Sequence, residues 1–280
     1  MQIHEVRTME GNSGCTIKLF KTEKTSFVRK YSSCPEYNAR LEEQCRKQNF
    51  YRTTAGVSAP AVHKWGYENG LFYFDMDYVH GHTLAEIIPI MENYDVSPFI
   101  TLLFKMLHWR QKGKRSDTAM IFQGKIHSLE YQLSGKVPEK VFDKLKHFDW
   151  SIVSSTQCHG DLALDNVILN DDGKLCLIDF LDSFFDSWMI DVAKLLQDME
   201  LHWSFRNKKL SDESLSILES TKEMILNRIG SMEGGQAKIN AIYHILLLNV
   251  VRLWPYAHLH NSEPWLVPAT EKAYQLAQKM

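Results

Sequence analysis

The spacing of apolar and polar positions changes several times along the chain, and each change predicts an element. Two β-rich runs, Cys15–Phe20 and Ser26–Tyr31, flank the polar stretch Lys21–Thr25, the pattern of a hairpin with a five-residue loop. From Pro35 to Arg52 the spacing turns helical. Leu41 and Cys45 stand four apart, and Pro35 sits early, where a helix tolerates its missing N–H. Ala59–Tyr67 and the aromatic run Leu71–Val79 read as two further strands. Beyond Leu84 the pattern is helical. Ile100–Trp109 is apolar on most faces, Lys112–Asp117 is a polar break, and Val141–Val153 reads as another helix. Two short apolar runs, Asn166–Leu169 and Leu175–Phe180, flank Asn170-Asp171-Asp172-Gly173. An Asp-Gly pair between apolar runs predicts a second hairpin. After Trp188 the chain is helical to its end, broken at Gly234-Gly235. The layout is a β-rich part over residues 1–80 and a larger helical part over residues 81–280, joined near residues 77–84.

Composition narrows the class. With 280 residues, 44% hydrophobic and 24% charged, the chain can bury a sizeable core and is not of the disordered type. Lys and Arg number 32 against 34 Asp and Glu, so nothing draws the whole molecule toward nucleic acid or an anionic membrane. The stretch Ile239–Leu253 is too short and too interrupted, by His244, Asn249 and Arg252, for a membrane span. It reads as a buried helix. The start MQIHEVRTMEGNSG lacks the pattern of a cleaved signal peptide. Five scattered cysteines without a CxxC pair fit reduced thiols in the cytoplasm better than a disulfide framework.

The chemistry concentrates in Cys158-HGDLALDNVILNDDGKLCLIDF-Leu181. Asn166 follows Asp161 by five residues, and the predicted hairpin folds Asn166 back toward Asp179. An amide oxygen and a carboxylate are hard ligands suited to Mg²⁺, which binds few protein groups and keeps room for phosphates and water. Asp161 is then free to face an acceptor hydroxyl. One base or orienter, two metal ligands and no covalent nucleophile make up the parts of a phosphoryl-transfer site.

This segment resembles the catalytic core of the protein-kinase-like superfamily. His159-Gly160-Asp161 with Asn166 matches a catalytic loop of the form HGDxxxxN, and Ile178-Asp179-Phe180 matches the metal-binding Asp-Phe-Gly position. The HGD form is similar to the aminoglycoside phosphotransferase and choline kinase branch, which phosphorylates small molecules. The resemblance implies an α+β fold of two lobes, a small β-rich nucleotide-binding lobe and a larger helical one. It implies ATP and Mg²⁺ as cofactors, with Asp161, Asn166 and Asp179 as catalytic residues and the last two holding the metal. It implies that Lys30, ending the second strand, contacts the α- and β-phosphates. Strand alternation puts Lys30 on the face of Val28 and Arg29 on the other. A helix glutamate is expected to pair with Lys30. Glu42 and Glu43 both lie on the predicted helix, and Glu43, seven residues before Phe50, is preferred. Gly11 and Gly14 of Gly11-Asn12-Ser13-Gly14 would form the phosphate loop, without a full GxGxxG. Met76, Asp77 and Val79 lie in the stretch that resembles the adenine-binding hinge. His159 and Asp191 are expected to support the catalytic loop.

The departures point to the acceptor. Leu181 replaces the glycine after Asp-Phe, no Ala-Pro-Glu follows, and only eleven residues separate Asp179 from Asp191. A long activation loop has no room, which favours a small-molecule hydroxyl over a peptide. Asp182, Asp186, Asp198 and Glu200 would add negative charge for a cationic acceptor, while Trp188, His202 and Trp203 could face a sugar ring or a quaternary ammonium. Sugar or amino-sugar derivatives come first, choline-like amino alcohols second, aminoglycosides third. The competing reading is a kinase-like module that binds nucleotide without catalysis.

Overall fold

The structure is a computed structural model that describes residues 4–10, 14–23, 25–52, 58–90, 95–107, 111–113, 115–257 and 262–280. Contacts divide the chain into two units. The first comprises Met1–Leu84 and Asn166–Asp182, the second Ala85–Asp165 and Ser183–Met280.

In the first unit, strands β1 (His4–Glu10), β2 (Thr16–Lys21) and β3 (Ser26–Tyr31) precede helix α1 (Asn38–Phe50). Strands β4 (Val62–Glu68), β5 (Leu71–Asp77) and β6 (Gly81–Thr83) follow. Five strands form one antiparallel sheet in the order β1-β2-β3-β5-β4. One face of it carries Cys15, Phe72 and Phe74 onto Leu41 and Cys45 of α1. The β2–β3 hairpin turns at Thr22–Thr25, where the Thr22 hydroxyl donates to the Thr25 carbonyl at 3.0 Å. The β4–β5 turn uses Asn69 at φ 50 and Gly70 at φ 79, and only a small or flexible residue adopts that backbone freely. A three-stranded sheet, β10-β9-β6, joins β6 to the hairpin β9 (Val167–Asn170) and β10 (Leu175–Leu177). Gly81, at φ 139, pairs with Asn170 across it.

The second unit begins in α2 (Leu84–Ile87), followed by α3 (Ser97–Leu107), strand β7 (Gln111–Gly113), α4 (Thr118–Gln132) and α5 (Glu139–Lys146). Strand β8 (Ser155–Thr156) pairs with β7 and leads into Cys158–Leu164. After the hairpin come α6 (Trp188–Leu201), α7 (Asp212–Gly230), α8 (Gly235–Val251) and α9 (Glu263–Gln278). From Ala241 to Val251, α8 is buried on every side, as a helix apolar all round must be. It is the buried helix expected at Ile239–Leu253. An aromatic cluster adds to this core, with Phe122 stacked on Trp150 at 4.4 Å and Phe148 on His244 at 4.0 Å. Burial pushes the His244 imidazole down to about 4, so it packs as a neutral ring. The helix read over Val141–Val153 stops at Lys146. Asp149 accepts the Ser151 N–H and caps a separate short turn, Trp150–Ile152. Among the described residues no helix is long and apolar enough to cross a membrane.

Candidate active-site residues

The chemistry-bearing residues form two groups, one in each unit.

In the first unit the group is centred on Lys30. Along β3, Val28 and Lys30 are buried on the helix-facing side, while Arg29 points to the other face. There Arg29 makes a two-pronged bond to Asp75, at 2.6 and 2.8 Å, and its guanidinium lies 4.2 Å from the centre of the Tyr73 ring. The Lys30 ammonium forms an ion pair with Asp179 and donates to Gln44 Oε1 at 3.3 Å. Burial alone would push this lysine down, but the Asp179 carboxylate outweighs burial and holds it above its ordinary value.

The partner on α1 corrects the sequence expectation. Glu43 is exposed and accepts from Arg46 at 3.3 Å, and Glu42 accepts from Arg46 at 2.8 Å. The buried stripe of α1 is Leu41, Gln44, Cys45 and Gln48. It follows the i, i+3, i+4, i+7 rule, which excludes positions 42 and 43. Gln44 therefore meets Lys30 with an amide oxygen instead of a carboxylate, and its own amide donates to the Tyr37 hydroxyl at 3.1 Å.

Asn166 and Asp179 lie at the two ends of the β9–β10 hairpin, and the Ile178 N–H donates to the Asn166 carbonyl at 3.0 Å. Asp179 takes a left-handed backbone, φ 59, a conformation costly for a residue with a Cβ. Phe180 behind it packs on Tyr51, ring centres 5.2 Å apart, and the Leu181 carbonyl accepts from Lys47 at 2.9 Å. These contacts fix the turn that presents Asp179. Among the described residues no three His, Cys, Asp or Glu side chains cluster as a protein-only metal nest. A carboxylate paired with a buried ammonium, with the Asn166 amide at the other end of the hairpin, is a donor set suited to an ion that shares its ligands with phosphate oxygens.

Of the other residues assigned to nucleotide, Gly11 lies outside the described residues. Gly14 has φ 74. Met76 packs against the core of the sheet. The Asp77 N–H donates to the Ala61 carbonyl at 3.0 Å and its carboxylate accepts the Ala61 N–H at 3.1 Å, so that backbone amide is already committed. Val79 lines a cavity of about 1170 Å³ together with Asp77, Tyr78, His80 and Arg52. Neither Lys30 nor Asp179 borders this cavity.

In the second unit the group is the loop Cys158–Leu164, held against one face of α6. The two oxygens of the buried Asp191 accept the His159 and Gly160 N–H groups, each at 2.7 Å. Gly160, at φ 92, makes the turn that aims both amides at one carboxylate. The fully buried His159 accepts the Asp161 N–H at Nδ1, 3.3 Å away, so it supports the loop backbone. Asp198, also fully buried, accepts the Leu164 N–H at 2.6 Å and the Ser204 N–H at 2.9 Å. Burial pushes its carboxyl up to about 6 despite these two bonds. The Asp161 carboxylate pairs with Lys194 at 2.9 Å. Burial would raise Asp161, but the Lys194 ammonium prevails and holds it below the usual carboxylate range.

The residues expected to contact an acceptor fare unevenly. Trp188 is buried at the first turn of α6, so its ring packs the core and cannot form a ligand face, and its backbone N–H donates to the Thr156 hydroxyl at 2.7 Å. Asp198 fastens the loop, and Glu200 is enclosed by Tyr243, Lys222 and Lys272; neither adds charge to an acceptor pocket. His202 ends α6 in a left-handed conformation. Trp203 packs edge-on to Trp265 at 4.9 Å and under Arg206 at 4.2 Å. Eight residues of helix separate His202 from Lys194, about 12 Å along the axis. Asp186 accepts from the Cys158 thiol at 3.3 Å, and Asp182 is half-buried at the end of the first unit.

Sequence reasoning missed Gln44 and Lys194 and misassigned Asp198. The signal for Lys194 was present: a single lysine inside the apolar run Ile190–Leu196, three residues after Asp191, has to find an anion.

The sequence profile of the phosphotransferase enzyme family, APH, matches residues 16–213. No curated protein sequence matches the chain. Among solved structures, a thermostable mutant of aminoglycoside phosphotransferase APH(4)-Ia in ternary complex with AMP-PNP and hygromycin B aligns with a TM-score of 0.70 at 12% identity. The alignment covers 99% of this chain and 95% of that one. A putative fructosamine-3-kinase from Haemophilus somnus 129PT aligns with a TM-score of 0.63 at 12% identity, over 99% and 91% of the two chains. LicA in complex with AMP aligns with a TM-score of 0.61 at 14% identity, over 99% and 93%. The fold is thus the α+β, protein-kinase-like one, β-rich in its first part and helical in its second.

Proposed function

Since the chain belongs to the phosphotransferase enzyme family, we propose that it is an ATP-dependent small-molecule kinase whose acceptor is a hydroxyl of a sugar or amino-sugar derivative. The observation that carries this reading is the ion pair of the buried Lys30 with the part-exposed Asp179, at the position the family motif reserves for phosphates and metal. A lysine buried in a sheet costs several kcal/mol unless its charge is used.

Each residue then has a role. Lys30 neutralises charge on the α- and β-phosphates, steadied by Gln44. Asn166 and Asp179 would hold Mg²⁺, which would supply positive charge to neutralise the phosphates. Asp161 orients the acceptor hydroxyl. As the hydroxyl oxygen bonds to the γ-phosphorus, the bond to the β,γ-bridging oxygen breaks, ADP leaves, and the hydroxyl proton passes to the Asp161 carboxylate. Asp191 keeps the loop amides fixed, so little reorganisation accompanies the step.

The sugar class is favoured over amines because Asp198 and Glu200 are occupied inside the second unit. Two of the four acids expected to receive a cationic amino alcohol are thereby taken, and Asp182 and Asp186 remain.

The test is ATP turnover across a panel of sugars, amino sugars and amino alcohols, wild type against Asp161→Asn. With a sugar acceptor identified, Asp161→Asn is expected to lower kcat by about 10²–10⁴. Equal turnover by the two proteins would remove Asp161 from the mechanism, and turnover with amino alcohols alone would overturn the sugar assignment. Independently, Asp179→Ala should abolish Mg²⁺-dependent binding of ATP in calorimetry; unchanged Mg²⁺-ATP affinity counts against the metal role.

A further inference from the structure

We propose that Lys194 is a positioning residue for Asp161, holding that carboxylate in one orientation against a fixed positive charge. The inference rests on the kinase reading above for its catalytic consequence, though not for the pairing itself.

The first argument is where the lysine sits. Its neighbours Val192, Ala193, Leu195 and Leu196 are fully buried, and its own side chain is only 12% exposed. A lysine that merely filled this space would cost desolvation that leucine or methionine avoids. Its ammonium lies 2.9 Å from Asp161 Oδ1.

The second argument is the pattern along α6. Asp191, Lys194 and Asp198 stand at i, i+3 and i+7 and so share one helix face. Asp191 fastens the amides of His159 and Gly160, and Asp198 fastens that of Leu164. Those three hydrogen bonds fix the backbone on either side of Asp161. Lys194 supplies what they cannot, a contact to the Asp161 side chain itself.

The third argument is the charge around the carboxylate. Besides Lys194 from α6, His159 from the loop and Arg252 from the end of α8 act on it, all of them favouring the ionised form. A carboxylate held this way is a weak base that is always ionised near neutral pH. It orients the hydroxyl throughout and accepts the proton late, when the new phosphoester bond has made that proton acidic. Lys194 exchanges base strength for full occupancy of the competent state.

The experiment uses the full chain as wild type, Lys194→Met, Lys194→Gln and Lys194→Arg, each checked for native circular dichroism. Turnover of Mg²⁺-ATP is followed against pH, with the acceptor panel and with water as default acceptor. Lys194→Met is expected to lower kcat about 10–100-fold, leaving the KM for ATP within about twofold. The acidic limb of its pH profile should move upward, and Lys194→Arg should recover most of the loss. If Met fails to fold, Gln is read in its place. Wild-type kcat and an unmoved acidic limb in the Met or Gln variant would overturn the proposal. So would equal losses in the Met and Arg variants, the mark of a merely structural residue.

Titration of the carboxyl carbons by NMR in a ¹³C-aspartate-labelled chain, with Asp161 assigned through Asp161→Asn, needs no acceptor. Asp161 should titrate at higher pH in Lys194→Met than in wild type; coincident curves would overturn the pairing. If wild type transfers phosphate to nothing, the kinase reading falls, and this titration alone decides the pairing.

Discussion

Lys30 has a carboxylate on one side and a neutral amide on the other, and the difference matters for its charge. Gln44 shares the ammonium's hydrogen bonds without adding a second anion. Gln44→Ala should therefore weaken Mg²⁺-ATP binding by about 1 kcal/mol, a few-fold in Kd by calorimetry, the net worth of one ordinary hydrogen bond. Asp198 offers a prediction of opposite kind. Its carboxyl titrates near 6 in the folded chain, above the ordinary value of 3.8. The folded state thus holds a proton that the unfolded chain has released between these values. Its contribution to stability is complete below about pH 4 and lost as pH rises through 6, a change of about 3 kcal/mol. In urea denaturation, wild type should lose stability relative to Asp198→Asn over that window, and parallel curves would contradict it. At this scale the legible residues were those in a linear motif. Asp161, Asn166 and Asp179 announce themselves by spacing. Gln44 and Lys194 do not, because their meaning depends on which helix face turns inward. For α1 that face could have been drawn through Leu41 and Cys45, and it passes through Gln44.

Elements were readable where one period dominated. The β2–β3 hairpin, α1, the β9–β10 hairpin and the buried α8 all follow from local spacing. Strand β1 carries no clear signature of its own: HEVRTME offers only Val6 and Met9 as apolar residues, and Val6 is exposed. Its strand character comes from pairing with β2, a tertiary contact that overrides propensity. Strand β6 is illegible in the sequence for the same reason. Three residues that pair with β9 carry no pattern of their own. Gly81 in β6 is nevertheless sharply constrained. A Cβ there would meet the Leu169 carbonyl oxygen at 2.2 Å and the Asn170 Cα at 2.7 Å, both backbone atoms. Gly81→Ala should cost about 2–4 kcal/mol by denaturant titration, the sum of a strained φ and a forced strand separation. In α8, Leu246→Ala removes a fully buried side chain and should cost about 2–5 kcal/mol.

For the molecule as a whole, near-balanced charge leaves selectivity to local groups. Lys30 and Lys194 each pair with a carboxylate of their own unit, so neither stands as an uncompensated positive charge. Mg²⁺-ATP at about a hundred times its Kd should stabilise the chain by about 2.7 kcal/mol, a rise of several degrees in Tm, and Asp179→Ala should erase the Mg²⁺-dependent part. Sequence alone divided the chain once, near residue 80. The units are interleaved instead, because β9 pairs with β6, and that pairing draws Asn166–Asp182 into the first unit. The interleaving sets an order of events at the ribosome. The first 84 residues emerge without the hairpin that completes their unit, and the 81 residues from 85 to 165 must be synthesised before it follows. At about 5–20 residues per second that is roughly 4–16 s in which β6 has no partner. Throughout this interval an unpaired strand edge is open to a chaperone or to a neighbouring nascent chain.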